Sequence, residues 1–556
     1  MRLFRTSTAG ALLFGTSFAG TALAAGTELL PGGNQSVARG GAVAARAEDP
    51  MVLANDPAGL ALLEGNQIIL DLVTPIPHMC VDPYGYYGWG AYGGSSEFGD
   101  SLSPDYANAP LPKVCNSAKV ATLPDLAYAG KLSKNVGVGF GFVAPVLLPG
   151  MQYGGSDGTM NTPNGPRPTP TRYSLVKQEV PFALNPTAGI GYRPIPQIAV
   201  GLQVQVLMVK ARATAVQNAV SGTQPSSDWL ATLETRDYFV PSVTASLHTK
   251  PVKPVDLVVA FKYTENFDGA GSVTYETNTF HHGAKSGPVP YGNAPIPIAD
   301  IQVGMPWQLT FAARYAQPLR ERKLGGLGDP MDTELWDVEA DFGYQLAGIA
   351  RNSIDVGGDA TVYTREAGTS LKKTTAQNLG ATAIDPHRKT AYQARLGGSY
   401  SVVPQQFQVD AGTFWESRSV DPEYADIDSF AFQRVGLGLG GVVRIGSFDL
   451  RFAYSHIFSE TLDVRPPAHQ NVENANPNDP TSGFDQRVGG TFGPDGVRQG
   501  GTVLPDPAAQ GGGGDATARK TQVSAISTNA RPERVINAGK YTASFDVISL
   551  GVVYHF

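Results

Sequence analysis

The side chains of this sequence that could carry catalysis are its eight histidines. A hydrolase pairs a histidine with a serine or an acidic residue, because the imidazole must accept the proton of the nucleophile. None of the eight lies in a recognisable nucleophile motif, and only the adjacent pair His281 and His282 has a spacing that suggests metal ligands. That pair lies in a predicted surface loop. The sequence therefore predicts no catalytic residue, no metal site, no cofactor and no enzyme activity.

The two cysteines offer a second kind of chemistry. Cys80 and Cys115 lie in one segment rich in Tyr, Gly, Pro and Asn, between two predicted strands. Thiols pair in oxidising compartments, so an exported chain would form a disulfide across this loop. Two unpaired thiols are the alternative, since sequence alone does not show that the two residues meet.

Charged side chains of opposite sign alternate along neighbouring predicted strands. Asp337, Glu339 and Asp341 lie on one strand, between strands that carry Arg314 and Arg395. These charges could form ion pairs that brace a wall, or an arginine could bind the carboxylate of a ligand with its forked donors. The candidates for carboxylate binding are Arg314, Arg395 and Arg451.

The first residues resemble an export signal. Arg2 and Arg5 precede an apolar stretch that is too short to span a bilayer. The small residues Ala22 and Ala24 follow at the positions that a signal peptidase reads. We expect residues 1–24 to be a signal peptide that is removed on export.

The composition of the chain favours strands joined by turns. It contains 65 Gly and 42 Pro, and only 16% of its residues are charged. The net charge of −7 comes without any basic stripe, which argues against nucleic-acid binding.

Alternation of apolar and polar residues is the main structural signal, because successive side chains of a strand point to opposite faces. It is clearest at the carboxyl end, where the apolar positions are Phe556, Tyr554, Val552, Leu550 and Ile548. It recurs near 198–206, 255–263, 307–315, 336–344, 392–400 and 448–454. A soluble sandwich would bury such apolar faces, whereas a membrane barrel turns them to lipid. Aromatic residues at the strand ends favour the barrel, since they mark the two membrane interfaces.

The connections between these strands alternate between short and long. Short turns and long loops at opposite ends are typical of transmembrane barrels. The long loops are predicted near 77–120, 148–178, 213–235, 268–299, 358–388, 418–429 and 465–539. With 334–357 taken as a single strand, they predict fourteen strands within a barrel domain of residues 66–556.

Residues 25–65 do not alternate, and here the chain resembles the FadL/TodX family of outer-membrane transport proteins. The small-residue run 38–42 and Asp49 precede a motif similar to the family's Asn-Pro-Ala. In this sequence the motif is Asn55, Asp56, Pro57, Ala58, Gly59 and Leu60. The departure from the family pattern is Asp56, which stands directly before the proline.

The resemblance implies an all-β transmembrane antiparallel barrel of fourteen strands whose lumen holds residues 25–65 as a hatch. It further implies passive uptake of long-chain fatty acids or hydrocarbons across the outer membrane of a Gram-negative bacterium. Ligand would leave sideways into membrane lipid through a wall gap near the third strand, where the candidates are Gly137, Gly139, Gly141 and Pro145. The terminal Phe556 would serve as the signal for the barrel-assembly machinery. A general diffusion porin and a structural or adhesive barrel are the alternatives.

Overall fold

The computed structural model of the chain describes residues 30–83, 111–144, 150–162, 165–172, 174–217, 229–277, 288–290, 296–319, 329–347, 354–357, 361–366, 373–378, 382–384, 388–420, 422, 427, 432–464, 486–488, 491–492, 498–499, 502–504 and 539–556. The predicted signal peptide, Pro145 and the pair His281 and His282 lie outside these residues.

Fourteen antiparallel strands form a closed barrel, in which each strand pairs with the next and the last pairs with the first. They are β1 (Gln67–Pro83), β2 (Leu123–Ser133), β3 (Val136–Phe142), β4 (Pro186–Ile195), β5 (Ile198–Gln217), β6 (Trp229–Val252), β7 (Val255–Thr264), β8 (Trp307–Pro318), β9 (Glu334–Leu346), β10 (Ala391–Val403), β11 (Phe407–Glu416), β12 (Arg434–Ile445), β13 (Phe448–Ser459) and β14 (Gly539–His555). The predicted fold class and strand number are confirmed.

Shorter strands extend the wall at the long-loop end. They are Val114–Cys115, Gly150–Gln152, Lys177–Leu184, Phe267–Thr277, Ile296–Val303, Ile354–Gly357, Thr382–Ile384 and Leu462–Val464. The prediction of one strand over 334–357 is wrong. β9 ends at Leu346, and Ile354–Gly357 is a separate strand that pairs with Ile296–Val303.

Further short strands form small sheets that are separate from the barrel sheet. Their strands are Thr159–Thr162, Gly165–Pro168, Pro288–Pro290, Thr361–Glu366, Lys373–Asn378, Gln486–Val488, Thr491–Phe492, Arg498–Gln499 and Thr502–Leu504. A short helix, Pro330–Thr333, lies in the turn between β8 and β9. No helix in the described part of the chain is long and apolar enough to cross a membrane.

The strands turn their apolar faces outward. Phe448, Phe452 and Tyr454 on β13 are 47%, 53% and 40% exposed, whereas Asp449 and Arg451 between them are buried. A soluble protein would bury the apolar set instead, because burial of apolar area is the main driving force of folding in water. This inverted arrangement is typical of a wall that faces lipid.

Aromatic rings gather at both edges of the outward apolar surface. At the short-turn end, Tyr315 packs on Trp336 and Phe448 on Tyr554, with ring centroids 5.5 and 4.8 Å apart. At the long-loop end, Trp307 packs against Tyr263 and Tyr344 against Tyr392, at 5.3 and 5.4 Å. Two such aromatic girdles mark the membrane interfaces of a barrel.

Residues 30–65, here called the amino-terminal segment, lie almost entirely buried among inward-facing side chains of the wall. The segment contains α1 (Asn34–Ala38), α2 (Val52–Asn55) and a 3-10 helix, Pro57–Ala61. The 3-10 helix begins at Pro57, whose fixed φ suits a first helical position. The chain then enters β1, which is joined to the extension Val114–Cys115 by a disulfide between Cys80 and Cys115.

The lumen and its amino-terminal segment as the candidate site

Asp56 fixes the 3-10 helix in the lumen. Its Oδ1 accepts a hydrogen bond from the Ser246 hydroxyl at 2.6 Å and from the backbone N–H of Ala58 at 3.2 Å. Its Oδ2 lies 2.7 Å from Nδ1 of His248 on β6. Asp56 therefore caps the helix and ties it to the wall, so the aspartate that departs from the family motif makes anchoring hydrogen bonds of its own.

His248 extends this anchor into a chain of buried charges. Its Nε2 lies 3.1 Å from Asp256 Oδ1, so the ring stands between two carboxylates. Arg314 donates to the other Asp256 oxygen at 3.2 Å and to Asp337 at 3.1 Å. Arg314 also contacts Glu334. Buried charges require such pairing, because an isolated charge in the interior is strongly disfavoured.

The lumenal face of β3, β4 and β5 carries glycines, which have no side chain, where it contacts the 3-10 helix. A Cβ atom at Gly137, Gly191 or Gly201 would overlap the backbone of residues 57–61. Gly139 lies against the side chain of Leu60. Gly141 differs, because a Cβ there would meet the neighbouring strand β2 rather than the segment. These glycines let the helix backbone touch the wall directly.

A second glycine patch on β10, β11 and β12 receives the other half of the segment. A Cβ atom at Gly397 or Gly412 would overlap the backbone of Arg39, and one at Gly438 would overlap that of Val37. The segment turns here at Gly40, whose φ of 62° favours glycine. The segment thus lies between two glycine patches on different sides of the lumen, one on β3 to β5 and one on β10 to β12.

Arg39 is fully buried and joins the segment to β9. Its Nη2 donates to Asp337 at 2.8 Å and to Glu339 at 3.2 Å. Its Nε donates to the carbonyl oxygen of Ala42 at 3.0 Å, and Nη1 contacts the Ser399 hydroxyl. Four donors of one guanidinium are therefore engaged, which is the condition for a buried arginine to be tolerated.

A second ionic contact involves the segment's own carboxylates. Arg46 contacts Glu48 and Asp337, while Arg451 of β13 contacts Asp49 and lies 3.5 Å from Glu48. Burial disfavours the charged form of Glu48, but Arg46 and Arg451 outweigh it and hold the pKa of this carboxyl below its usual value.

A cavity of about 180 Å³ lies between the segment and the wall. The segment contributes Val43, Ala44 and Asn55, and strands from β5 to β10 supply most of the remaining lining. Many of the wall residues are polar: Gln205, Ser242, Thr244, Lys262, Thr264, Gln308, Thr310, Asp341, Gln345, Gln393 and Arg395. The cavity is therefore a mixed polar and apolar space.

The three candidate arginines lie in different surroundings. Arg314 and Arg451 are buried in the ion pairs described above. Arg395 lines the cavity and donates to Gln393 Oε1 at 2.5 Å. Of the three, Arg395 is thus the one placed to meet a ligand in the cavity.

The cavity also reaches the end of β3. Val143, Ala144 and Asn185 line it just beyond the last pairs between β3 and β4. β3 has only 7 residues, whereas a tilted transmembrane strand needs about 9–11. The Ala144 backbone N–H donates to Asp125 Oδ1 on β2 at 2.7 Å, a side-chain contact where backbone pairing has ended.

The wall that contacts the segment has a sequence signal of its own, outside the motif of residues 55–60. Gly137, Gly139 and Gly141 on β3 form a G-x-G alternation, and the same alternation recurs at Gly189 and Gly191 on β4 and at Gly438 and Gly440 on β12. The last four lie close to the segment. Alternate glycines in a long strand could therefore have indicated where a second piece of backbone approaches.

No protein-family model and no curated protein sequence matches the chain. Solved structures match its fold. A Pseudomonas aeruginosa FadL homologue superposes with a TM-score of 0.60 at 13% identity, over 94% of this chain and 98% of that chain. The Pseudomonas putida toluene transporter TodX gives 0.50 at 14% identity, over 100% and 99%. The Ralstonia pickettii toluene transporter TbuX gives 0.50 at 15%, over 94% and 98%.

The chain has the fold of Gram-negative outer-membrane transporters, a closed antiparallel barrel of fourteen strands. Within that class its fold is the FadL type, and the resemblance to the FadL/TodX family is confirmed at the level of the fold.

Proposed function

We propose that the chain is a passive outer-membrane channel for hydrophobic molecules, with long-chain fatty acids or hydrocarbons as ligands. The amino-terminal segment acts as a hatch, and ligand leaves sideways near β3. Export by a cleaved signal peptide and assembly through Phe556 belong to the same proposal. The observation that carries it is the cavity, which touches both the segment and the end of β3.

The physics of hydrophobic ligands supports a lateral route. Each CH₂ group withdrawn from water lowers the free energy by about 0.8 kcal/mol, so a long acyl chain does not cross a water-filled pore efficiently. A path from a lumenal cavity directly into the membrane avoids rehydrating the chain. The short β3 is the place we propose for this path, because within the described residues its ladder with β2 and with β4 ends at Phe142.

Uptake measurements test the proposal. Cells that express the chain should accumulate labelled oleate or toluene faster than matched cells that lack it. A heat-modifiable band in the isolated outer-membrane fraction would show that the barrel is folded there. If folded protein changes uptake of neither compound, the transport function is wrong for both ligand classes.

A pair of tryptophan substitutions tests the lateral route. Ala144→Trp adds bulk at the end of β3, where the cavity approaches the wall, and should reduce uptake several-fold. Ala188→Trp is the matched control, because Ala188 lies on the outward face of neighbouring β4. Equal uptake by both variants would contradict lateral exit and leave uptake itself intact.

A further inference from the structure

We propose that the outward face of β5 and β6 binds a phosphorylated lipid of the outer leaflet. The site lies just beyond the membrane interface at the long-loop end, which is the extracellular end of an outer-membrane barrel. It consists of four cationic side chains above a group of exposed aromatic rings. The inference depends on the orientation of the barrel in the membrane and goes beyond what the lumen transports.

Three aromatic side chains mark the membrane interface at this side of the barrel. Phe239, Tyr238 and Phe182 are 70%, 45% and 41% exposed. Tyr238 packs edge-on against Phe182, with ring centroids 6.1 Å apart. Aromatic residues gather where lipid tails meet headgroups, so these rings belong to the outer girdle. β5 continues beyond them to Gln217, and β6 reaches them from Trp229, so both strands extend past the hydrocarbon layer.

The four cations lie on the same outward face, beyond the rings. Lys210 on β5 pairs with Phe182 in one ladder and with Arg236 in the other. Cross-strand partners lie on one face of a sheet, so all three side chains point outward. Arg212 shares this face by alternation along β5. Lys177 is the fourth cation, on the strand that carries Phe182.

Two carboxylates hold three of these cations in place. Glu234 is shared by Lys210 and Arg212, at 2.8 and 2.7 Å. Glu179 lies 2.6 Å from Lys177. The contacts order the side chains, and they leave one positive charge of the three without a carboxylate of its own.

Arg236 is the cation most accessible to a ligand. Its side chain is exposed, and it makes no hydrogen bond or ion pair with a residue that the structure describes. Its partner on the following strand is Ala270, whose methyl group leaves the guanidinium uncovered. Asp268 is a third exposed carboxylate near this face, so the four cations still exceed the carboxylates. The forked donors of a guanidinium match the oxygens of a phosphate.

The lipid of the outer leaflet has the complementary chemistry. This leaflet consists of lipopolysaccharide in Gram-negative bacteria, and its lipid A anchor carries phosphates at the level of the headgroups. Acyl chains against the rings and phosphates against the cations would engage both halves of the patch. Each cation near an anionic membrane surface strengthens binding by about five-fold.

The test is lipid binding to the full-length chain purified in detergent, measured by microscale thermophoresis. The probes are bis-phosphorylated lipid A and the same lipid with both phosphates removed. The native protein should bind the phosphorylated lipid about ten-fold or more tightly. High salt should reduce this preference, because salt screens exposed charges.

A matched pair of single substitutions locates the site. Arg236→Gln should weaken lipid A binding about five-fold, and it breaks no contact among the described residues. Lys540→Gln is the control, because Lys540 is also exposed on the outward face, on β14. It stands between Asp82 and Asp463 on its two neighbouring strands, so its charge is already balanced. This variant should bind lipid A like the native protein.

A triple variant removes most of the patch. Lys210→Gln, Arg212→Gln and Arg236→Gln together should abolish the preference for the phosphorylated lipid, because Glu234 is then left to repel the phosphates. Unchanged binding by this variant would overturn the inference, as would equal binding of both lipids by the native protein. An equal loss in Arg236→Gln and Lys540→Gln would also overturn it, since net charge alone would then explain the effect. Uptake measurements decide the proposed function separately, because none of these side chains lines the lumenal cavity.

Discussion

At the scale of single residues, the amino-terminal segment is fixed in the lumen by a few side chains that each contact several partners. Asp56 caps a helix, bonds a serine and pairs with His248, three roles for one carboxylate. The cap on Ala58 is local, but neither the serine, Ser246, nor His248 could be predicted from the sequence around Asp56. His248 lies 192 residues away, and no periodicity links the two positions. The motif predicted that this position matters, but only the folded wall shows what it binds.

Removing the Asp56 carboxylate should loosen the 3-10 helix. Asp56→Ala deletes the cap and leaves His248 paired on one side only, a loss of about 3 kcal/mol in local opening. Amide exchange within residues 57–61 should then accelerate by about a hundred-fold. Hydrogen exchange measured by mass spectrometry reports this region directly.

Two further variants separate the roles of Asp56. Asp56→Asn keeps an oxygen for Ala58 and Ser246 but loses the charge beside His248, so exchange should rise by less. Glu64→Ala removes an exposed side chain of the same segment and should change nothing. Unchanged exchange in Asp56→Ala would show that the wall glycines alone hold the helix.

At the scale of elements, alternation predicted the strands well because it is a local property. The outward apolar faces and the rhythm of short and long connections both follow from it. The lengths of the strands could be predicted less well than their positions. The predicted loop 213–235 is strand at both of its ends, because β5 runs to Gln217 and β6 begins at Trp229. Pairing between long hairpin arms depends on the partner strand, which the local pattern does not contain.

The glycine patches make a prediction at this scale. Gly201→Ala on β5 would place a Cβ where the backbone of Pro57 and Ala58 now lies. Such overpacking costs about 1–3 kcal/mol and should displace the 3-10 helix. In planar bilayers this variant should show more frequent open events than the native protein.

The matched control is Gly343→Ala on β9. Gly343 also faces the lumen, but its nearest neighbour is the flexible side chain of Gln393, 3.2 Å from the added atom. This variant should behave like the native protein. Equal opening in both variants would contradict a specific contact between β5 and the helix.

At the scale of the whole molecule, the segment is attached in two chemically different ways. Residues 51–63 pack through apolar side chains and the glycines of β3 to β5. Residues 39–49 are held by charges on β9 and β13. The cavity lies between the two attachments, so loosening one of them can widen it while the other keeps the segment in place.

The ionic attachment therefore controls leakage if the segment is a hatch. Arg39→Met removes a fully buried cation and leaves Glu339 and part of Asp337 uncompensated, at a cost of about 3–5 kcal/mol. The native protein should conduct little in planar bilayers, and Arg39→Met should conduct several-fold more.

Arg418→Met is the control, because it breaks the half-exposed pair with Glu460 away from the lumen. A general diffusion porin behaves differently, since its native form conducts freely and neither substitution changes that. Free conductance by the native protein would thus contradict the hatch. If the native protein and both variants all fail to conduct, the barrier to conduction does not depend on the ionic contacts of Arg39.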